Sequence, residues 1–409
     1  MSEAAASIGV EEVAELLAEM VAIPSINPRL SSPSDPAEWA GEERLAVFVK
    51  NWLVGNGIEA DLQEVAPGRP NVVARLPGRA GSLRVIWEGH LDTVQVEGMT
   101  TPFSAVVRDG KLYGRGAVDD KASLAMFMLA LRMLRDQPRD CDITFLAAID
   151  EEVTFEGISF HIARNERYDM GVAGEPTSLR IVSACKGCLR WVIEVHGRNA
   201  HSSRPEEGVD AIAIAADLIA FLRDYMRGDE RLHPMLGRRT LTCTLLEAGE
   251  GPNSVPALAK LTFDMRTLPD QSGPEAWTEI REAVSRFPAP PGARIVMNAP
   301  FIDSISMEVP PDAAIIGRLQ SALRCEGLDA APLGAPFGSD ATKLTRAGTP
   351  TVVFGPGSID QAHAPDEYVD LAEVARAAEI LAAAMTPSPG AGDATSPLAP
   401  PAQAEEPLA

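Results

Sequence analysis

Four runs of almost unbroken apolar residues in this chain each lead to an acid or a histidine. The run in "LRVIWEGHLDTV" (83–94) leads to His90 and Asp92. "ITFLAAI" (143–149) leads to Asp150, Glu151 and Glu152, "MGVAG" (170–174) to Glu175, and "TVVFGPG" (351–357), after a short loop, to His363. A strand that is apolar on both faces must be covered on both faces. The covers are legible too, because amphipathic helices fit 10–23 and Glu42 to Val54, and a further helix fits "DKASLAMFMLALRML". Helices alternating with uniformly apolar strands predict an α/β fold, with a mixed, mostly parallel sheet flanked by helices. Ligands in such open sheets sit beyond the carboxyl ends of the strands. The acids and histidines are therefore expected along one edge.

The middle of the chain has a different rhythm. "GCLRWVIEVHG" reads as a strand, "GVDAIAIAADLIAFLRDYM" as a helix, "RRTLTCTLLE" and "LAKLTFDMR" as strands, "PEAWTEIREAVSRF" as a helix and "ARIVMNA" as a strand. That order, βαββαβ, is the ferredoxin-like unit, a complete small domain. The α/β pattern then resumes with helices near 311–325 and 370–385. The expected organisation is a layered domain over 1–187 and 304–385, interrupted by an inserted domain over 188–303. A length of 409 residues suits two cores better than one. The Pro-, Ala- and Ser-rich stretch 386–409 has no periodicity and is expected to be disordered. Between "FSAVV" and "KLYGRG", Asp109-Gly110 predicts a hairpin turn.

Charge narrows the partners. With 36 basic and 58 acidic residues the net charge is −22, which disfavours nucleic acid and anionic membrane surfaces. No run approaches the roughly 20 apolar residues of a membrane span. The acidic start "MSEAAASIGVEEVAEL" lacks the pattern of a signal peptide, and five cysteines form no framework, so a cytoplasmic location is expected.

Carboxylates crowded at one edge repel one another unless something neutralises them. Divalent cations do so, and mixed imidazole and carboxylate ligation suits Zn²⁺ or a neighbouring transition metal. "YGRGAVDDKA" adds Asp119 and Asp120. One carboxylate can bridge two metals about 3.5–4 Å apart, but spacing alone does not choose between these two acids. His90 would bind metal through one ring nitrogen while Asp92, two residues on, orients the ring through the other.

The motifs "GHLDTV", "GRGAVDDK", "DEE", "GEPT", "GRNAHSSRPEEGVDAI" and "AHAPDEYV" stand in an order and spacing that resemble a known family. It is the co-catalytic zinc hydrolases that include acetylornithine deacetylase, succinyl-diaminopimelate desuccinylase, aminoacylase and carboxypeptidase G. The resemblance runs from Val10 to Met385 and is nearest the acetylornithine deacetylase-like members. It implies a zinc-exopeptidase-like fold whose inserted domain serves as lid and dimerisation surface. It implies two Zn²⁺ per subunit, with Co²⁺ or Mn²⁺ as substitutes. His90, Asp119 and Glu175 would hold one ion and Asp119, Glu152 and His363 the other. The family pattern makes Glu151 the general base, His201 an oxyanion donor that reaches the partner subunit's site in dimers, and Asn253 and Arg266 substrate grips. The implied reaction is amide hydrolysis of an N-acyl amino acid in a cytoplasmic homodimer. A dipeptidase or carboxypeptidase on the same machinery is the near alternative, and a non-catalytic binder of the same fold the distant one. A nucleotide-dependent oxidoreductase lacks its glycine fingerprint.

Other features have plainer readings. His161, His196 and His233 lack an acidic partner within a motif, and Asp120 reads as a helix-start carboxylate. "CKGC" (185–188) has no second pair at zinc-site spacing. One departure bears on the substrate: deacetylase-type members carry a Trp shortly before the Pro-Phe of "QVEGMTTPFSA", and this chain has none there.

Overall fold

The computed structural model describes residues 7–386; the expectation of disorder for 387–409 lies outside the described residues. Helices α1 (Val10–Val21) and α2 (Glu43–Gly55) precede strands β1 (Glu59–Ala66), β2 (Arg69–Leu76) and β3 (Leu83–His90). Helix α3 (Lys121–Leu134), β4 (Cys141–Ala148), β5 (Met170–Ala173) and β6 (Val182–Cys185) follow. The next segment contributes β7 (Gly187–His196), α4 (Ala211–Arg227), β8 (Thr240–Ala248), β9 (Leu258–Thr267), α5 (Gly273–Ser285) and β10 (Arg294–Met297). Helix α6 (Ala314–Cys325), β11 (Thr351–Val353) and α7 (Leu371–Ala384) complete the main elements.

The larger sheet runs β1-β2-β4-β3-β5-β11-β6, with Met307–Glu308 beyond β6. Its centre, β4-β3-β5-β11, is parallel. Toward both edges the pairing is antiparallel, at β1/β2, β2/β4 and β11/β6. The sheet is thus mixed, with its parallel part at the middle. The edges escaped the reading of apolar runs because β1, "EADLQEVA", buries little and carries charge, as an edge strand should. The hairpin at 106–113 turns at Asp109 (φ 52°) and Gly110 (φ 73°), the positive values that a two-residue turn needs.

Helix α3 is apolar nearly all round and buried nearly all round. It lies between the sheet and the outer pair α1 and α7. Its Phe127 packs on Trp87 and Phe145 of the sheet, with ring centroids 5.7 and 5.6 Å apart. Gly89 permits this packing at the site's edge. A Cβ there would meet Asp120 Oδ2 at 2.8 Å and Leu124 at 3.2 Å.

The second sheet has the order β8-β9-β7-β10, antiparallel throughout. It packs one face on α4 and α5 around its own core, which includes Trp191, Phe263, Leu218 and Ile280. Asp210 caps α4 by accepting from the N–H groups of Ile212 and Ala213, and Ser272 and Glu275 form a capping box on α5. The polypeptide enters this sheet from β6 through Gly187. A Cβ at Gly187 would lie 2.3 Å from Thr267 Oγ1, so the crossing tolerates no side chain.

Candidate metal centre

The carboxyl ends of β3, β4 and β5 open toward one spot, and loops from elsewhere complete it. His90, the last residue of β3, is buried. Asp150 ends the β4 run in left-handed backbone (φ 66°) and turns Glu151 and Glu152 toward the edge. His363 is also left-handed (φ 62°). Asp and His are among the few side chains that accept this region readily.

Asp119 stands between the two imidazoles: His90 Nε2 lies 2.9 Å from its Oδ1, and His363 Nε2 3.2 Å from its Oδ2. His363 Nε2 also lies 3.1 Å from Glu152 Oε1. Donor atoms of His90, Asp119 and Glu152 fall within 4.8 Å of one another, as do those of His90, Glu151 and Glu175. Imidazole and carboxylate at this density fit a divalent transition metal. The same carboxyls are crowded. Burial pushes Glu175 well above its usual range, and the charges of Asp119 and Glu151 add to this. Burial likewise raises Glu151, with Asp340 and Glu152 adding. Asp119 moves the other way: burial opposes ionisation, but hydrogen bonds from His363 and His90 hold it ionised. Hydrogen bonds to Asp119 and Glu152 in turn carry His363 up to about 10.

One expectation about a neighbouring acid needs correction. The ring of His90 is oriented by the backbone of Asp92, because Nδ1–H donates to the Asp92 carbonyl oxygen at 2.9 Å while the carboxylate oxygen is 3.7 Å away. The Asp92 carboxylate instead accepts the N–H groups of Glu151 (3.1 Å) and Glu152 (3.2 Å) and the amide of Asn27 (2.8 Å). Past the end of the ladder at His90, the Asp92 side chain reaches across to the β4 turn, which a period of two residues does not anticipate. Asp120 stands at the start of α3, as expected. Its side chain makes no capping bond, and Oδ2 accepts the His90 N–H at 3.1 Å. Burial raises its carboxyl to about 7.

The remaining candidates lie on the second sheet and its loops. His201 is exposed, and its Nδ1 bonds only Ser203. It pairs with Ser254 across a two-residue ladder, which places Asn253, also exposed, beside it. Arg266 on β9 pairs with Asp264 (2.8 Å), which Arg190 also holds (2.7 Å). None of the three touches the cluster at the strand ends within this chain. The other histidines have local partners: His161 Nε2 meets Tyr168 Oη at 2.9 Å, His196 meets Glu194, and His233 meets Glu308.

Glu367 was missed, although it stands in the quoted "AHAPDEYV". It is buried, and its carboxylate accepts from the Arg115 guanidinium (2.5 Å). It also accepts the N–H groups of Gly116 (3.1 Å), Val118 (3.0 Å) and Asp119 (3.2 Å). The signal is an acid four residues after His363, inside the same motif. Glu367→Gln will weaken this clamp and strand Arg115 without a counter-ion, a loss of about 3–5 kcal/mol for buried pairs. Thermal unfolding will shift down and metal occupancy will fall. Unchanged values for both would refute the clamp.

The fold and this donor set define a metal-dependent hydrolase of amide bonds. More particularly, the chain belongs to Peptidase family M20/M25/M40, which residues 86–386 match. Acetylornithine deacetylase of Proteus mirabilis is 31% identical over 382 residues, covering 90% of this chain and 94% of that protein. A tripeptidase from Staphylococcus aureus superposes with a TM-score of 0.74 at 20% identity, over 93% of this chain and 98% of that one. The YXEP protein of Bacillus subtilis, a dinuclear metal binding peptidase of the same family, superposes at 0.70 with 16% identity, over 92% and 97%.

Proposed function

We infer that the chain hydrolyses the amide bond of N-acyl amino acids, as a deacetylase or desuccinylase does. The observation that carries this is Asp119, whose two oxygens face the two imidazoles, in a chain so extensively similar to an acetylornithine deacetylase. His90, Asp119 and Glu175 would hold one ion and Asp119, Glu152 and His363 the other. Zn²⁺ is the expected ion, with Co²⁺ or Mn²⁺ able to replace it. Bound divalent ions supply Lewis acidity, lowering the pKa of water from about 15.7 toward roughly 7.

The chain's own residues do the rest. Glu151 takes the proton of the attacking water and returns it to the leaving amine. Asp92 holds the Glu151 N–H at 3.1 Å and so keeps that carboxylate beside the cluster. Arg266, half-buried on the open face of β9, pairs with the substrate carboxylate, and Asn253 contacts the acyl amide. His201 donates to the developing oxyanion. Its exposure, with Ser203 as its side-chain partner, favours action on the site of a partner subunit. Edge strand β8 with exposed Leu245 and Leu246, and Ile212 on α4, supports a homodimer through the second sheet. All five cysteines are free, which suits a cytoplasmic location.

A dipeptide substrate is the second reading. The segment Gln95–Ala105 lacks the deacetylase Trp, and its Phe103 packs instead on Trp39, with ring centroids 5.1 Å apart. Metal-loaded enzyme assayed on N-acetyl and N-succinyl amino acids beside dipeptides decides between them. Turnover of none of these would end the hydrolase reading. His201→Ala should lower kcat by about 10²-fold or more while metal content stays unchanged, as for loss of an oxyanion donor. Loss of metal in that variant would show that His201 had been given the wrong task.

A further inference from the structure

The segment after α1 carries one fully buried amide, Asn27, that the mechanism above does not use. Its single Nδ2 donates both hydrogens to acids on different turns, to Asp92 Oδ2 at 2.8 Å and to Asp150 Oδ1 at 2.9 Å. Its Oδ1 accepts the Arg29 N–H at 3.0 Å, and its own N–H donates to Thr93 O at 2.9 Å, so the amide cannot rotate freely. Each acid it joins fixes a part of the cluster. Asp92 presents its carbonyl to His90 and its carboxylate to the N–H groups of Glu151 and Glu152. Asp150 is also held by Arg69 (3.2 Å), Arg29 (3.3 Å) and the Thr154 hydroxyl, and it opens the turn that carries those two glutamates.

The geometry points to Asn27 as a positioning residue that sets the spacing between the His90 turn and the Glu151–Glu152 turn. Two buried carboxylates approach one another there, and the link must donate to both. An amide nitrogen is the smallest uncharged side-chain group with two hydrogens on one atom. Serine donates once, aspartate would add a third negative charge, and lysine would bring a cation beside ligands meant for metal. Loss of the link frees the β4 turn to shift against His90. Displacements of this size at reacting groups cost rate more than binding.

The assignment rests on Glu151 being the base and the cluster being the metal site, so the test includes a readout independent of turnover. Asn27→Ala and Asn27→Ser are compared with the parent chain, each loaded with Co²⁺. Outer partners of metal sites typically contribute about 10–100-fold to affinity or activity. Asn27→Ala should lose about that much in kcat with KM within about twofold, and its Co²⁺ visible absorption should change shape. Asn27→Ser, with one donor left, should lie between Ala and the parent in both readouts. A purely packing role predicts a lower unfolding temperature with the cobalt spectrum and kcat intact, and that result overturns the assignment. If the alanine variant does not fold, the serine variant decides, and parental spectrum and kcat in it also overturn the assignment. The spectrum needs no substrate, so failure here is distinguishable from failure of the hydrolase reading.

Discussion

Glu151→Gln is expected to retain its metals and its fold and to lose about two to four orders of magnitude in kcat, the usual contribution of a general base. The replacement is nearly isosteric, and its N–H can keep the bond to Asp92. What disappears is the ability to accept a proton. Burial and the neighbouring acids Asp340 and Glu152 raise the affinity of this carboxyl for a proton, a direction that suits a base working near neutrality. Steady-state kinetics with metal analysis on the same preparation will test it. A variant within about tenfold of the parent rate would remove Glu151 from the mechanism.

Asp119→Asn is expected to be as damaging for a different reason. The Asp119 carboxylate lies within hydrogen-bond distance of both imidazoles, at 2.9 and 3.2 Å. An amide there presents a single acceptor and two hydrogens, so one of the two proposed ion positions would lose one of its ligands. Metal content should fall below two ions per chain, with kcat down by about 10³-fold or more, a loss comparable to removing a principal catalytic group. Chelation of the parent enzyme should abolish turnover, and added Zn²⁺, Co²⁺ or Mn²⁺ should restore it. Two tightly held ions in Asp119→Asn would refute the bridging role.

The parts of this protein that could be read from the sequence share a cause. His90, Glu151, Glu152 and Glu175 follow apolar runs, and an apolar run specifies a buried strand whose end must face outward. The alternation around them specified the layers. Other parts depend on where a side chain lands after folding. Nothing near Asn27 in "PSINPRL" indicates that its amide will meet Asp92 and Asp150, 65 and 123 residues away. Glu367 finds its partners about 250 residues back. The carboxylate of Asp92 reaches another turn because β3 stops pairing with β4 at His90, whereas the rule of alternation assumes that the strand continues. Edge strand β1 was unreadable for the opposite reason, since a strand with one wet side and charged residues carries no apolar signature.

The grip of Glu367 on Arg115 and the Asp119 loop also orders events during biosynthesis. Chains emerge from the ribosome amino end first, and domains fold as they appear. The second sheet, with its separate core, is complete in sequence well before His363 and Glu367 have been made. A nascent polypeptide therefore holds one imidazole and most of the acids, but neither the second imidazole nor the tether of the Asp119 loop. A chain cut before residue 363 would keep His90, Asp119, Glu151, Glu152 and Glu175 but lack the second imidazole and the tether of the Asp119 loop, however well its earlier parts had folded.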